Sequence, residues 1–496
     1  MNYYSTRDAA HQAGVSAAQA IKQGLASDGG LFVPEALPTL TRDFLKELCA
    51  DDYATRAAKI MKLFLSDYTY EELLSDCQAA YAPTSFRGGA APLAAIGEQN
   101  LYSLELWHGP TAAFKDMALQ IMPRLLSRAL KKTGEERTAL ILVATSGDTG
   151  KAALEGYRDI DQTKMIVFYP VDGVSRVQKL QMATQEGENV RVVAIRGNFD
   201  DAQTGVKRIF GDRVVADRLN EGGYLLSSAN SINWGRLLPQ IVYYVSAWCD
   251  LTNEGKLLEG EVFNVCVPTG NFGNIFAAYL ARRMGLPIGR LICASNQNHV
   301  LTDFLRTGTY NRNRAFHLTM SPSMDILISS NLERLLYFTA GSAVTADCMK
   351  QLSQNGCYTV PTEVKAEIDR VFVGYYADEQ QTADAIAKAW KEHGYLSDTH
   401  TAVALSCAEQ YRTETGDMTP MVVASTASPY KFANNVYRAV AKTEPTDDLA
   451  ALDELSALTG TDIPYPLSGL AERKVRFSDV IDASGMTATV YETLGL

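Results

Sequence analysis

The sequence lacks the excess of positive charge that nucleic-acid-binding proteins carry. It holds 46 Lys and Arg against 57 Asp and Glu, which gives a net charge of −11 and a pI near 5.2. Proteins that bind nucleic acids present clustered Lys and Arg to the phosphate backbone. We therefore expect no nucleic-acid partner, although local arginines, lysines and backbone amides can still bind a small anion.

The sequence also lacks clustered cysteines and long hydrophobic runs. None of its eight cysteines lies within four residues of another, so zinc-type spacing is absent, and we expect reduced core residues of an intracellular protein. The most apolar helix-like run, residues 237–249, contains Pro239 and Gln240 and is too short to span a bilayer. The first residues have no basic stretch followed by an apolar one, as a signal peptide would. These absences predict a cytoplasmic protein with no membrane contact and no metal.

What is present is ample material for two large units. Of the 496 residues, 46% are hydrophobic, and no internal repeat or low-complexity tract is found among them. Helical patterns at residues 9–25, 44–49 and 54–64, with a helix start at Thr69, predict a small, mainly helical N-terminal domain. The predicted division of the chain is this N-terminal domain (1–85), an α/β catalytic region of two subdomains (86–440) and a C-terminal extension (441–496).

The middle of the chain alternates between predicted strands and helical patterns. The strand segments are apolar runs or alternate in polarity, and they occupy residues 101–106, 140–144, 165–169, 190–195, 262–267, 291–294 and 421–424. Such alternation predicts a largely parallel sheet covered by helices, with the binding site at the carboxyl ends of the strands. Residues 296–362 are less regular, and we expect a cover over the site within them whose position the pattern does not give.

Residues 108–116, His-Gly-Pro-Thr-Ala-Ala-Phe-Lys-Asp, place Lys115 in an apolar setting where a helical pattern begins. Desolvation lowers the pKa of a lysine, and a neutral amine can form a Schiff base with an aldehyde. The alternative is an ordinary first-turn lysine with its amine in water. The reactive interpretation requires that the chain also supply a phosphate-binding loop and a partner for an aromatic ring, and it supplies both.

Residues 268–274, Pro-Thr-Gly-Asn-Phe-Gly-Asn, lie between a predicted buried strand and a helix that begins near Ile275. Glycines allow successive N–H groups to converge, and the helix dipole adds partial positive charge, so this loop can bind a phosphate without a cation. The alternative is a tight turn that needs glycine for steric reasons alone.

Two further polar loops follow predicted strands. Residues 145–151, Thr-Ser-Gly-Asp-Thr-Gly-Lys, fail as a nucleotide P-loop, because the glycine spacing is too short and Ala152 replaces the magnesium-binding hydroxyl. They suit an anionic group of a small ligand instead. Residues 227–236 end in Arg236, whose guanidinium matches a phosphate bidentately, although a solvated surface arginine is the alternative.

Together these motifs resemble those of the pyridoxal-phosphate enzymes of the tryptophan-synthase β family, in the same order and over most of the chain. The matching segments are residues 3–7, 24–25 with 28–31, 108–111 with 114–116, 145–150, 230–233 with Arg236, 270–273 and 425–427. The resemblance implies fold type II: two α/β domains with largely parallel sheets enclosing pyridoxal 5'-phosphate, plus the helical N-terminal domain. Within the family, the chain is similar to the branch that converts O-phospho-L-homoserine and water into L-threonine and phosphate.

The resemblance also implies residue roles. Lys115 would bind the cofactor covalently and move protons, and Thr426 or, less favoured, Ser425 would face the pyridine nitrogen, since strand alternation points only one of them there. Asp148 stands where many relatives have asparagine beside the ring's 3′ oxygen. The other expected cofactor residues are Gly270, Asn271, Phe272, Gly273 and Asn274. The residues expected to hold the substrate phosphate are Ser146, Thr149, Asn230, Ser231 and Arg236.

Two alternatives stay open at this point. One is a sibling dehydratase or β-replacement synthase acting on serine- or threonine-like substrates, which needs no second phosphate site. The other is a cofactor-binding protein that has lost catalysis, against which the intact Lys115 argues. The sequence gives neither allosteric control nor a choice between monomer and homodimer.

Overall fold

Two sheets organise the computed structural model, which describes residues 1–10, 14–145, 147–172, 174–258 and 260–496. The strands, in chain order, are β1 (Tyr3–Ser5), β2 (Phe32–Pro34), β3 (Leu93–Ala95), β4 (Leu101–Glu105), β5 (Thr138–Ala144), β6 (Thr163–Pro170), β7 (Val190–Arg196), β8 (Tyr224–Ser227), β9 (Phe263–Pro268), β10 (Ile288–Ser295), β11 (Thr309–Asn311), β12 (Cys357–Thr359), β13 (Phe372–Tyr376), β14 (Met421–Ser425) and β15 (Val480–Asp482).

Helices connect and cover these strands. They are α1 (Ala17–Gln23), α2 (Arg42–Cys49), α3 (Tyr53–Phe64), α4 (Tyr70–Ala80), α5 (Asp116–Leu119), α6 (Met122–Lys132), α7 (Asp148–Tyr157), α8 (Arg176–Ala183), α9 (Phe199–Gly211), α10 (Arg213–Glu221), α11 (Trp234–Asn253), α12 (Gly273–Arg283), α13 (Val300–Thr307), α14 (Leu332–Asn355), α15 (Thr362–Asp369), α16 (Glu379–His393), α17 (Thr399–Thr415), α18 (Ala433–Ala441), α19 (Ala450–Thr459) and α20 (Met486–Leu494). Among the described residues, no helix is long and apolar enough to cross a membrane.

The larger sheet has six strands in the order β13-β10-β9-β14-β4-β3, and the smaller has five in the order β15-β7-β6-β5-β8. All pairs are parallel except β3 with β4. Each of the seven predicted strands is confirmed, and the predicted α/β class with largely parallel sheets is confirmed with them. Buried runs such as those of β5 and β9 were readable because parallel strands covered on both faces are continuously apolar.

The N-terminal residues form a short antiparallel sheet of β1 and β2 with helices α1 to α4. The predicted helix start at Thr69 is confirmed, since Thr69 and Glu72 form a capping box. The helix predicted over residues 9–25 is shorter, because Ser16 caps its start by accepting a hydrogen bond from the Gln19 N–H. Part of that prediction, residues 11–13, lies outside the described residues.

The irregular interval holds a long helix that the sequence analysis missed. Helix α14 contains a break at Gly341, where φ is 77°, and the break disrupts the helical period in the sequence. Just before it, residues 319–331, which we name the cover segment, pass over the ends of β9 and β10. The cover segment is tied there by Asn296, directly after β10, and by the carbonyl of Asn271.

The last residues complete the smaller sheet. Strand β15 pairs with β7, and α20 packs against α9 through Met486 and Val490. This edge strand was not predicted, because its three residues are half-exposed and carry no apolar run. The eight cysteines form no disulfide, and six of them are buried.

Candidate active site

The Lys115 segment is fixed where β4 and β14 end. The Phe114 N–H donates to the Thr426 carbonyl at 2.8 Å, and the Ser428 N–H donates to the Ala112 carbonyl at 3.0 Å. Lys115 itself immediately precedes α5, as the sequence predicted. The backbone of this segment therefore carries Lys115 directly against the loop that follows β14.

The turn before Lys115 is stabilised by a buried carboxylate. Asp116 accepts hydrogen bonds from the Thr111 N–H at 2.8 Å and from the Thr111 hydroxyl at 2.7 Å. A Cβ on Gly109 would lie 2.6 Å from the Asp116 carboxylate, so this position requires glycine. Burial raises the pKa of Asp116 to about 7, against the hydrogen bonds from Thr111.

The environment of Lys115 favours a neutral amine. Burial lowers the pKa of Lys115 to about 8; the charge of Asp148 opposes this shift, while those of Lys431 and Arg236 add to it. The side chain is half-buried, and its Nζ donates to the Ser323 hydroxyl at 3.4 Å. The lowered pKa gives this amine a far larger neutral fraction near pH 7 than an ordinary lysine has, and the neutral form is the one that acts as a nucleophile or base.

Asp148, the first residue of α7, forms a buried ion pair with a lysine that sequence reasoning did not assign. Lys431 Nζ lies 2.7 Å from Asp148 Oδ1 and also donates to the Thr111 carbonyl at 3.0 Å. Gln178 donates to Asp148 at 3.0 Å. Burial alone would raise the pKa of Asp148, but the charges of Lys431 and Lys115 hold that pKa well below its ordinary value. Asp148 is therefore ionised, and its negative charge is balanced by the positive charge of Lys431.

The predicted phosphate-binding loop, residues 268–274, connects β9 to α12. Phe272 adopts a left-handed conformation, with φ at 64°, and α12 begins at Gly273, so free backbone N–H groups face the loop. A Cβ on Gly270 would lie 2.9 Å from the Ser323 carbonyl, so the cover segment approaches the loop closely. Asn271 is exposed at the loop's edge.

Asn274 presents an unused donor in this loop. Its Oδ1 accepts hydrogen bonds from the hydroxyls of Tyr243 at 2.5 Å and Tyr244 at 2.6 Å. Its buried Nδ2 has no hydrogen-bond partner within the described part of the chain. Buried polar groups without partners are rare in folded proteins, so a ligand acceptor is expected here.

Arg236 is a buried cation in the first turn of α11. It is 3% exposed, donates to the Ala229 carbonyl, and has no partner for its Nε among the described residues. Burial lowers its pKa to about 10. Arg334 provides a contrast, since its guanidinium donates to two backbone carbonyls and to Asn331. Because no described carboxylate pairs with it, Arg236 is expected to bind an anionic ligand.

The remaining residues expected to hold the substrate phosphate differ in burial where the structure describes them. Thr149 is half-buried in the first turn of α7, and Asn230 is exposed. Ser231 is half-buried, and its carbonyl accepts a hydrogen bond from Asn331 at 3.3 Å. Ser146 lies outside the described residues.

Ser425 and Thr426 differ in orientation. The Ser425 hydroxyl accepts from Trp107 Nε1 at 3.0 Å and lies 3.1 Å from the Thr401 hydroxyl, so it faces the core behind the site. The Thr426 hydroxyl has no hydrogen bond to another described residue, although its backbone binds both neighbouring segments. Thr426 is thus the one of the pair whose hydroxyl is available.

Sequence reasoning missed Lys431, Ser323 and the pair Asp398 and His400. Their signals were weak, because Ser323 and Lys431 lie in short 3₁₀ turns and Asp398 and His400 lie at the start of α17, with no recognisable spacing between them. The usable clue was Asp398, which starts α17 by accepting from the N–H groups of His400 and Thr401. Only the fold brings these residues to Lys115.

Three family models match the chain. They are threonine synthase N terminus over residues 2–81, pyridoxal-phosphate dependent enzyme over 88–426, and threonine synthase, C-terminal, over 401–490. Threonine synthase of Pseudomonas aeruginosa is 39% identical over 445 residues, which cover 88% of this chain and 90% of that protein. The chain belongs to the threonine synthase family.

Other members of the threonine synthase family extend this comparison. Human threonine synthase-like 1 is 40% identical over 434 residues, and these cover 85% of this chain but 58% of that longer protein. The chain thus spans little more than half the length of that relative. The crystal structure of a PLP-bound threonine synthase from Brucella melitensis matches with a TM-score of 0.88 at 36% identity, covering 100% of both chains.

Membership of the threonine synthase family confirms the predicted resemblance, fold type II and the cofactor pyridoxal 5'-phosphate. The described residues fit this cofactor. The N–H groups at the start of α12 and the unpartnered Asn274 Nδ2 suit its phosphate, and Lys115 offers an amine of lowered pKa for its aldehyde. Among the described residues, no group of His, Cys, Asp and Glu is placed to hold a metal ion.

Proposed function

We propose that this protein is a threonine synthase that converts O-phospho-L-homoserine and water into L-threonine and phosphate. The observation that carries the proposal is the buried Arg236, which no carboxylate of the described residues pairs with, because it provides an anion site in addition to residues 268–274. A cofactor phosphate held by backbone amides needs no guanidinium, so Arg236 is free for a substrate phosphate. A dehydratase acting on serine or threonine has no use for this second site.

The proposed cofactor contacts follow the positions described above. Gly270, Asn271, Phe272, Gly273 and Asn274 surround the phosphate, Asp148 lies near the ring's 3′ oxygen, and the Thr426 hydroxyl faces the pyridine nitrogen. Support for Thr426 comes from its hydroxyl, which has no hydrogen bond to another residue in the described ranges, whereas that of Ser425 contacts Trp107 and Thr401. When bound, the cofactor withdraws electrons from the substrate carbon that loses a proton.

Lys115 carries the proton transfers in this proposal. With a pKa lowered to about 8, its Nζ can take one proton from the substrate's Cα and one from Cβ, and return protons to Cγ and Cα. Arg236, with Ser146, Thr149, Asn230 and Ser231, holds the substrate phosphate until it leaves and a water molecule adds at Cβ. The cover segment limits the access of water, since Ser323 and Ser329 lie against Gly270.

The predicted division into residues 1–85, 86–440 and 441–496 is part of this proposal, as are a cytoplasmic location and the absence of a nucleic-acid or membrane partner. The β1–β2 sheet supports the view that the N-terminal part contributes packing rather than reacting groups. Its hydrogen bonds run to backbone and to α14.

Product analysis tests the proposed function. The purified holoenzyme is incubated with O-phospho-L-homoserine, and products are identified by NMR, with L-serine and L-threonine as competing substrates. Threonine and phosphate in equal amounts are expected; a 2-oxo acid and ammonia from serine or threonine would favour a sibling enzyme, and no turnover would favour a non-catalytic binding protein. After borohydride reduction, peptide mapping should find the cofactor on Lys115, and attachment at Lys151 or Lys431 would contradict the site.

A matched pair of lysine variants sharpens this test. Lys115→Ala should abolish turnover, since the general acid–base role alone accounts for about 10²–10⁴-fold. Lys131→Ala should leave turnover unchanged, because Lys131 is exposed on α6 and pairs with Asp161.

A further inference from the structure

The amine of Lys115 has a partner on the cover segment. Its Nζ donates to the Ser323 hydroxyl at 3.4 Å, and both side chains face the same solvent-accessible space, since Ser323 is exposed and Lys115 is half-buried. Ser323 belongs to a single 3₁₀ turn, Pro322–Met324. A turn of three residues would be poorly fixed by itself, so the position of the hydroxyl depends on what holds the turn.

A buried histidine holds Ser323 by its backbone. The Ser323 N–H donates to His400 Nε2 at 3.1 Å, while His400 Nδ1 lies 2.9 Å from Asp398 Oδ1. Because Nε2 accepts from an N–H group, the ring proton must sit on Nδ1 and be donated to Asp398. Asp398 is fully buried and is itself fixed by the N–H and hydroxyl of Thr401.

A second set of contacts fixes the rest of the turn. Asn296 donates to the side chains of Thr319, Ser321 and Asp325 at 2.8, 3.0 and 2.8 Å. On the other side, the Ser323 carbonyl lies against Gly270 of the phosphate-binding loop. The turn therefore spans the space between Lys115 and residues 268–274, and its backbone is held on both sides.

We propose that Ser323 is a catalytic residue whose hydroxyl orients the Lys115 amine, and that Asp398 and His400 are positioning residues that hold Ser323 in place. The inference rests on the proposed role of Lys115. A neutral amine that donates one N–H to Ser323 turns its lone pair away from that bond and toward the substrate. Once the amine has taken a proton, the same hydrogen bond becomes charge-assisted and therefore stronger. Ser323 thus stabilises the protonated amine more than the neutral one.

Kinetics of four variants test the assignment. Ser323→Ala should lower kcat by about 10- to 100-fold with little change in KM, because one hydrogen bond to a developing charge is lost. Ser323→Thr keeps the hydroxyl and should recover most of this loss. His400→Ala should lower kcat similarly, and Ser323→Ala/His400→Ala should be little worse than either, since the two act as one unit. Lys131→Ala, exposed on α6 and paired with Asp161, is the control and should keep the wild-type kcat.

A pH titration of the visible absorption of the bound cofactor supplies a readout that does not depend on turnover. Removing the Ser323 hydroxyl, which accepts a hydrogen bond, disfavours the protonated form of the Lys115 nitrogen. The midpoint of the absorption change should therefore move to lower pH in Ser323→Ala and return to the wild-type pH in Ser323→Thr. An unchanged kcat and midpoint in Ser323→Ala would overturn the proposal, as would a change in KM alone. If the losses in kcat of the two single variants add up in the double variant, His400 has only a structural role and does not act through Ser323. Because Ser323 is exposed, its variants test the role of its hydroxyl even if those of His400 do not fold. The turnover of O-phospho-L-homoserine by the wild type tests the proposed function separately.

Discussion

Asp148 and Lys431 explain how a carboxylate is tolerated in a buried site where the resemblance to the tryptophan-synthase β family implies asparagine. An uncompensated carboxylate in a buried site would be costly, but the 2.7 Å ion pair makes the two residues jointly neutral. A ligand beside the pair therefore meets no net charge, as it would beside the neutral amide of an asparagine. The sequence alone showed the carboxylate at position 148 but not its ion pair with Lys431, because 282 intervening residues separate the two partners.

The ion pair predicts strong coupling between its two residues. Lys431→Met should lower the free energy of unfolding by about 3–5 kcal/mol, because a buried carboxylate loses its partner. Asp148→Asn should also destabilise, while Asp148→Asn/Lys431→Met should lie closer to the wild type than either single variant. Urea denaturation measures all three. Additive losses in the double variant would mean that the two residues do not act as a pair.

The two hydroxyls after β14 give a second prediction at this scale. Thr426→Val should weaken cofactor retention and leave the fold intact, whereas Thr426→Asp should protonate the ring and change the absorption spectrum. Ser425→Ala is the matched control. It should cost about 1–3 kcal/mol of stability, because Trp107 Nε1 loses its acceptor, without changing the spectrum. The reverse pattern, with spectral changes in Ser425→Ala alone, would assign the ring nitrogen to Ser425.

At the scale of elements, the phosphate-binding loop and the cover segment fit against each other without spare room. The carbonyl of Ser323 lies where a Cβ on Gly270 would need space, and the Ser329 hydroxyl donates to the Gly270 carbonyl at 2.7 Å. Sequence reasoning placed the loop, because a buried strand, glycines and a helix follow one another in order. It did not place the cover segment, which is fixed by the contact of its Asp325 with Asn296 and of its Ser323 N–H with His400.

This fit predicts the effect of a single methyl group. Gly270→Ala should displace the cover segment and weaken cofactor binding, with a cost of about 1–3 kcal/mol, as is typical of overpacking. Gly211→Ala in α9 is the control, because a Cβ there meets open space, and stability should stay unchanged or rise by up to about 1 kcal/mol. Equilibrium dialysis and thermal denaturation measure both. A wild-type cofactor affinity in Gly270→Ala would show that the cover segment can be displaced without a measurable cost in free energy.

At the scale of the whole molecule, the N-terminal sheet is bound to the catalytic region through the start of α14. Buried Glu333 accepts hydrogen bonds from the Thr6 hydroxyl at 2.6 Å and from Arg7 Nε and Nη2, both at 2.8 Å. The neighbouring Arg334 donates to the Phe32 carbonyl of β2. These contacts hold together segments more than 300 residues apart and end beside the cover segment.

Removing this link should loosen the N-terminal part. Glu333→Ala should lower the free energy of unfolding by at least about 1.5 kcal/mol, because hydrogen bonds to a charged group are lost. Glu363→Ala, in the exposed first turn of α15, should change it by no more than about 0.5 kcal/mol. Denaturation curves of the two variants provide the comparison, and equal stability would show that the N-terminal sheet is held by apolar packing alone.

The sequence predicted the sheet class and the regions of the site because both rest on local patterns: apolar runs, glycine loops and helix starts. The strands β8, β13 and β15 escaped prediction because they are short or partly exposed. Residues that act through the fold, such as Lys431 and His400, carry no local pattern. These residues could be assigned only from the fold, in which β5, β9 and β14 end close to one another. The alternation of strands and helices predicted a site at the strand ends, but not which side chains meet there.

The central claim, that residues 268–274 hold the cofactor phosphate while Arg236 holds the substrate phosphate, is tested most directly by kinetics of Arg236 variants at known cofactor occupancy. Arg236→Ala should lower kcat/KM for O-phospho-L-homoserine by about 10- to 200-fold, the loss of one charged hydrogen-bonded contact. Arg236→Lys should recover part of it, since an ammonium lacks the planar fork. Cofactor occupancy and absorption spectrum should stay as in the wild type. Full kcat/KM in Arg236→Ala, or loss of the cofactor from it, would contradict the assignment.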